Sequence, residues 1–191
     1  MGVVVSDKRY VTYRREEDFV FDKQYLSTDI RNGFTGKPLN GWWGSPVDAY
    51  YGWKEWCFDN DYELDTYQFD KPIYWHLQEG SKVLTISHTE AYEFNQSNAL
   101  LPYIDIKGID NTNDITSKIK AITNSKEYGI GTYDSIKINF TRIKEDGIAG
   151  VELLDACIGH FFDNPVETMF NSWDCESIVI LDKDTIVIES E

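Results

Sequence analysis

The stretch Gly41-Trp42-Trp43-Gly44-Ser45-Pro46 runs straight into Val47-Asp48-Ala49-Tyr50-Tyr51-Gly52-Trp53-Lys54-Glu55-Trp56-Cys57. Four of the six tryptophans lie within it, so it constrains the fold more than any other segment. Tryptophan is the largest side chain, and its indole N–H wants a partner when buried. Several of them around a strand-to-helix turn make that turn either the central packing joint or the wall of a ligand site. The local signals predict a strand over 39–44, then a helix capped by Ser45 with Pro46 at its first position. Ala49, Trp53, Trp56 and Cys57 follow at the spacing of one helix face.

Elsewhere, alternating aromatic and β-branched residues over 10–14 predict an opening strand. Strands are expected over 73–77 and 82–87, joined across Glu79-Gly80, and again over 134–141 and 147–153. Ile115, Ile119 and Ile122 predict a helix beginning at Asp114. Two further helices are expected over 89–101 and 165–171. The chain closes with 177–181, a turn at 182–184, and 185–189, which together read as a hairpin. Its first strand is apolar on both faces, so it belongs at the centre of a sheet. Strands and helices interleave without a regular β-α-β rhythm, which favours an α+β fold.

The chain has 191 residues and reads as one globular domain over 1–191, long enough for a full core. No run of apolar residues is long enough for a membrane-spanning helix, and the N-terminus lacks the pattern of a signal peptide. Three cysteines at scattered spacings argue against a disulfide framework and for a reducing compartment, hence a cytoplasmic location. With three histidines and no paired metal-ligand spacing, no metal site is expected. Net charge is −15, and nearly all of it falls beyond residue 60. Such a field repels phosphate backbones, so direct nucleic-acid binding is not expected, whereas a basic protein partner suits it.

There is no phosphate loop of the Gly-x-x-x-x-Gly-Lys type, no Gly-x-Ser-x-Gly elbow and no dinucleotide glycine fingerprint. A Cys157/His160 pair at i, i+3 reads as two neighbours on a helix rather than as a nucleophile and its base. What remains is a constellation in three parts: Tyr13-Arg14 ending the opening strand, Gly41 to Cys57 with Ser45 at its corner, and Trp173-Asp174-Cys175-Glu176 ahead of the last hairpin.

In order and character these three parts resemble the mono-ADP-ribosyltransferases and the wider group sharing their split-sheet fold. The resemblance implies split, mainly antiparallel β-sheets flanked by short helices, with NAD or a related nucleotide bound in a cleft. Carried over, Arg14 takes the phosphate role, with Arg15 competing for it and Tyr13 beside it, and Ser45 orders the site. Glu176 is the acid that steadies the ribose, and Asp174 fills the other acid of an acid-x-acid pair. Trp42 and Trp43 stack on nicotinamide or adenine. The chemistry is coherent, because a guanidinium grips pyrophosphate in two places and a carboxylate stabilises an oxocarbenium-like ribose. An active member would pass ADP-ribose to water or an acceptor.

Each residue also has a plainer reading. Arg14 and Arg15, followed by Glu16, Glu17 and Asp18, suit surface ion pairs, and Ser45 suits a helix cap. The tryptophans suit core packing, and Glu176 suits a solvated residue before a strand. Two rival functions therefore stand open. One is a non-catalytic acidic interaction protein, such as a phage-type inhibitor of a host defence protein. The other is a cleft that sequesters a nucleotide signal without turning it over.

Overall fold

The computed structural model describes residues 2–15, 22, 24, 26, 29–30, 37–87, 97–109, 114–124, 136–154, 170 and 173–189. The strands are β1 (Val3–Val5), β2 (Arg9–Arg14), β3 (Trp42–Pro46), β4 (Gln68–Leu77), β5 (Lys82–Ile86), β6 (Ile104–Ile106), β7 (Ile136–Ile138), β8 (Ile148–Leu153), β9 (Ser177–Ile180) and β10 (Ile186–Ile188). The helices are α1 (Trp53–Asp59), α2 (Ile115–Thr123) and α3 (Phe140–Glu145). Eight strands form one sheet in the order β1-β5-β8-β9-β3-β2-β4-β10, and β6 and β7 make a separate pair. Only β5 and β8 run parallel; the other described pairings are antiparallel. The fold is therefore a mixed α+β one, with a large, mostly antiparallel sheet and few short helices.

Chain length shows that this sheet cannot be flat. β1 and β2 are five places apart in the order, about 24 Å across a flat sheet at the usual strand spacing. The link from Val5 to Arg9 is four Cα steps, which reaches at most about 14 Å. The sheet must fold back so that its two halves face each other. The packing agrees, because the core cluster of Tyr10, Trp75 and Leu77 from one half also holds Val83, Ala149, Ile178 and Ile180 from the other. A second cluster lies on the opposite side, where Val151, Leu153, Val179 and Leu181 meet Ile122 of α2 and Phe140 and Ile143 of α3. Strand alternation makes this possible, with Ile178 and Ile180 entering one core and Val179 and Leu181 the other.

β3 is the fold line. Trp42, Trp43 and Gly44 pair with Ile180, Val179 and Ile178 of β9. Ser45 and Pro46 pair instead with Val11 and Tyr10 of β2. One strand thus changes neighbour halfway along, and the two halves of the sheet part around it. Gly44 sits at the changeover for a steric reason: a Cβ there would lie 2.6 Å from Trp75 Cζ2 and 3.0 Å from the Val11 carbonyl oxygen.

The expected strand over 39–44 is displaced, since β3 takes in Ser45 and Pro46 and the helix waits until Trp53. Neither expected strand-turn-strand unit forms a hairpin. β9 pairs with β8 and β3, while β10 pairs with β4. A 3-10 turn at Lys183–Thr185, with Asp182 accepting from the Asp184 N–H, carries the chain across to the other half. β4 and β5 likewise lie in opposite halves, pairing with β2 and β10 and with β1 and β8 respectively. The central position of β9 is as expected, all four residues being buried. The strand expected over 134–141 is shorter, because Asn139 caps α3 by accepting from the Arg142 N–H. α2 starts at its Asp114 cap as expected. The helix expected over 165–171, the Cys157/His160 pair and most of the helix expected over 89–101 lie outside the described residues.

A candidate ligand cleft where the sheet parts

A cavity of about 450 Å³ opens where β3 changes partner. Its walls come from four places in the chain: Val11, Thr12, Tyr13 and Arg15 of β2 and its end; Lys37 and 41–45 on and before β3; Trp53 of α1 with Tyr67; and Asp174, Cys175 and Ser177 at the approach to β9. Beyond Val11, β2 has no register partner on β3, and a side chain bridges the gap instead. The Thr12 hydroxyl donates to the Trp43 carbonyl oxygen at 2.7 Å and accepts from the Trp75 indole N–H at 3.0 Å. The opening is therefore held by hydrogen bonds rather than left as an unpaired edge.

Five aromatic rings line the walls. Trp42 and Trp43, consecutive on a strand, lean on opposite cores, and Trp43 meets Trp173 edge-on at 4.8 Å. Tyr13 packs on Phe69 at 5.1 Å, and Trp53 stands edge-on to Tyr67 at 5.8 Å. Burial, with Glu55 nearby, pushes the Tyr13 phenol up to about 12, so it remains a hydrogen-bond donor at neutral pH. Among the described residues two cations line this space, each held between a ring and a carboxylate. Arg15 lies 5.0 Å from the centre of the Tyr67 ring and bonds Glu63 at 2.5 Å. Lys37 lies 5.3 Å from the centre of the Trp43 ring and 3.3 Å from Asp174.

Ser45 is buried at the base of the cleft. Its Oγ accepts from the Trp53 N–H at 3.0 Å, so it satisfies a donor of the first turn of α1 from a strand position. The N-cap itself is Gly52, whose N–H donates to Glu55 at 3.1 Å. Burial pushes the Cys175 thiol up to about 12 despite a hydrogen bond with Ser45, and the Cys57 thiol up to about 11. Neither is a thiolate at neutral pH, so neither serves as a nucleophile.

Of the residues singled out from sequence, Tyr13, Ser45, Trp42, Trp43 and Asp174 line this one cleft. Arg14 and Glu176 are not among its lining residues. Arg14 ends β2 in register with Gln68, just past an irregularity in the β2–β4 ladder, and Arg15 follows at a bend. Glu176 is only 9% exposed and binds the link between β3 and α1: its N–H donates to the Tyr51 carbonyl, and its carboxylate accepts from the Tyr51 N–H at 3.4 Å. The acid-x-acid pattern needs an extended chain to point both acids one way, but the backbone bends at Cys175 and Glu176 and β9 starts only at Ser177. The sequence pattern gives no role to Lys37 or Tyr67. For Lys37 there was a local signal, a cation beside Pro38 ahead of the tryptophan pair, and for Tyr67 there was none.

The fold and site together define a mixed α+β chain with a ligand-sized aromatic cleft at the parting of its sheet. No family model, no curated protein and no solved structure matches it. Among the described residues, no three His, Cys, Asp or Glu side chains gather as a metal site, and no helix is long and apolar enough to cross a membrane.

Proposed function

We propose that this chain binds NAD or a related nucleotide in the cleft, as a split-sheet protein of the ADP-ribosyltransferase-like kind. One observation carries the reading: five aromatic rings and two cations, Arg15 and Lys37, converge on one cavity at the parting of the sheet. Its volume falls within the roughly 300–1,000 Å³ typical of small-molecule sites. The rings supply stacking faces for a base, and the two cations supply the grip for phosphates. In this reading Arg15, the competitor of Arg14 for the phosphate role, takes it together with Lys37. A ligand phosphate would displace Glu63 and Asp174 from them, and Asp174 would then be the carboxylate nearest a ribose. Glu176 holds the start of α1 in place.

Isothermal titration with NAD and with ADP-ribose tests the proposal. Binding is expected, weakened by about tenfold or more in Trp43→Ala and Lys37→Ala and unchanged in Glu176→Gln. No heat and no thermal shift at millimolar ligand would overturn it. Nicotinamide release decides whether binding leads to cleavage. Release lost in Asp174→Asn but kept in Glu176→Gln assigns the acid to Asp174, and no release in the wild type makes the cleft a sequestering one.

A further inference from the structure

Outside both cores the described residues hold a third group of rings. Trp53 and Trp56 stack with centroids 5.0 Å apart, and Tyr62 stands edge-on to both at 5.9 and 5.2 Å. Phe58 joins this group only through Phe69, at 5.2 Å, and Tyr67, which meets Phe69 and Trp53 at 5.8 Å each. None of these rings belongs to either buried cluster, and Phe58 is 52% and Tyr62 37% exposed. Exposed rings gathered in this way mark interaction surfaces more often than chance. The chain around them is acidic, with seven carboxylates and one lysine between residues 48 and 70. Asp59, Asp61, Asp65 and Asp70 are exposed.

The molecule's own side chains show what a ring beside a carboxylate holds. Arg9 lies 4.1 Å from the centre of the Tyr74 ring while Glu189 takes its guanidinium at 2.8 and 2.6 Å. Arg15 sits in the same way between Tyr67 and Glu63, and Lys37 between Trp43 and Asp174. Among the described residues no cation lies over Trp56, Phe58 or Tyr62, although the segment that carries them is acidic. We propose that this surface docks a basic segment of a partner protein, with arginine side chains laid on the exposed rings and between the aspartates. Attraction to the ring face adds to the ion pair, and arginine exploits it better than lysine because its planar, weakly hydrated cation stacks. This surface is separate from the nucleotide reading: it adjoins the cleft at Trp53 and Tyr67, but Phe58 and Tyr62 do not line that cavity.

The test is fluorescence anisotropy of the full chain with a labelled ten-residue peptide alternating Arg and Gly, beside its Lys/Gly and Glu/Gly counterparts, at physiological salt. The Arg peptide is expected to bind best, the Lys peptide more weakly, and the Glu peptide not at all. Phe58→Ala with Tyr62→Ala leaves the charge unaltered and is expected to weaken the Arg peptide on the order of tenfold. Glu145→Gln with Asp146→Asn removes two charges at the end of α3, which packs on β8, and is expected to change affinity by less than about twofold. A thermal melt checks that the ring variant folds, and Phe58→Ala alone replaces it if the double variant melts low. Affinity that ignores the rings, or that follows net charge wherever it is removed, overturns the proposal. Lys37→Ala, which is expected to weaken nucleotide, leaves peptide binding intact, so the two proposals fail separately.

Discussion

The seam between β8 and β9 and the seam around β3 are adjacent in one sheet, yet they are built to opposite ends. Along the first, Gly150 to Leu153 pair with Ile180 to Ser177, and every residue on both strands is buried. The fit is close enough that a Cβ on Gly150 would lie 2.9 Å from Ile180 Cδ1 and 2.9 Å from the Val179 carbonyl oxygen. Around β3 the pairing changes hands, half-buried rings replace aliphatic side chains, and a hydroxyl does the work of a missing ladder bond. A strand that gives half its length to each neighbour cannot close either seam completely. The space left over is where a ligand can sit, so stability and binding are drawn from neighbouring but different strands.

Four experiments sharpen or break this contrast. The largest effect is expected from Trp75→Ala, because Trp75 is fully buried, stacks on Tyr10 at 4.7 Å and holds the Thr12 hydroxyl. Urea unfolding should show a loss of about 3–5 kcal/mol. A loss under about 1 kcal/mol would mean that the two halves are not joined through this side chain.

Gly44→Ala should come next, at about 1–3 kcal/mol, since the added methyl meets the indole and a carbonyl rather than open space. It should also weaken any cleft ligand, because the changeover point has to shift. Normal stability with normal binding would separate Gly44 from the geometry of the opening.

A smaller effect concerns pH. Unfolded thiols lose their proton near about 8.5, whereas folded Cys57 and Cys175 hold theirs to about 11 and about 12. Between about pH 8.5 and 10 the folded chain binds more protons than the unfolded one, so stability falls as pH rises. The urea midpoint should drop across that window, and Cys57→Ala with Cys175→Ala should flatten the slope. An unchanged slope would place these thiols in contact with water.

The smallest change in stability is expected for Lys37→Ala, whose ion pair with Asp174 is partly exposed and worth under about 1 kcal/mol. The same variant should lose nucleotide, so function and stability part company at this residue. A melting temperature that collapses with binding would instead make Lys37 a structural clamp.

Where the signal was local, the sequence was legible. β2, β8 and α2 follow from alternation or from a 3.6-residue period with a cap, and these depend on near neighbours in the chain. The buried character of β9 was also legible, from its unbroken apolar run. Its partner was not, because a short turn can close a hairpin or carry the chain to another sheet half, and here Asp182 and the 3-10 turn choose the second. Ser45 shows the same limit at a single residue: its chemistry was read correctly as accepting a helix N–H, and its place was not. Arg15 rather than Arg14, and Asp174 rather than Glu176, line the cleft because of how the chain bends just past β2 and just ahead of β9.

By itself, the chain determined most of the strand segments, though not β1 or β6, the burial of β9, and where the indole-rich corner falls. Those properties rest on side-chain volume, hydrophobic pattern and capping, all of which act over a few residues. Tertiary structure alone decided which strands are neighbours, how the sheet folds back, and which cation and which acid face the cavity. These depend on links too short to span a flat sheet and on contacts between residues more than a hundred positions apart, such as Lys37 with Asp174.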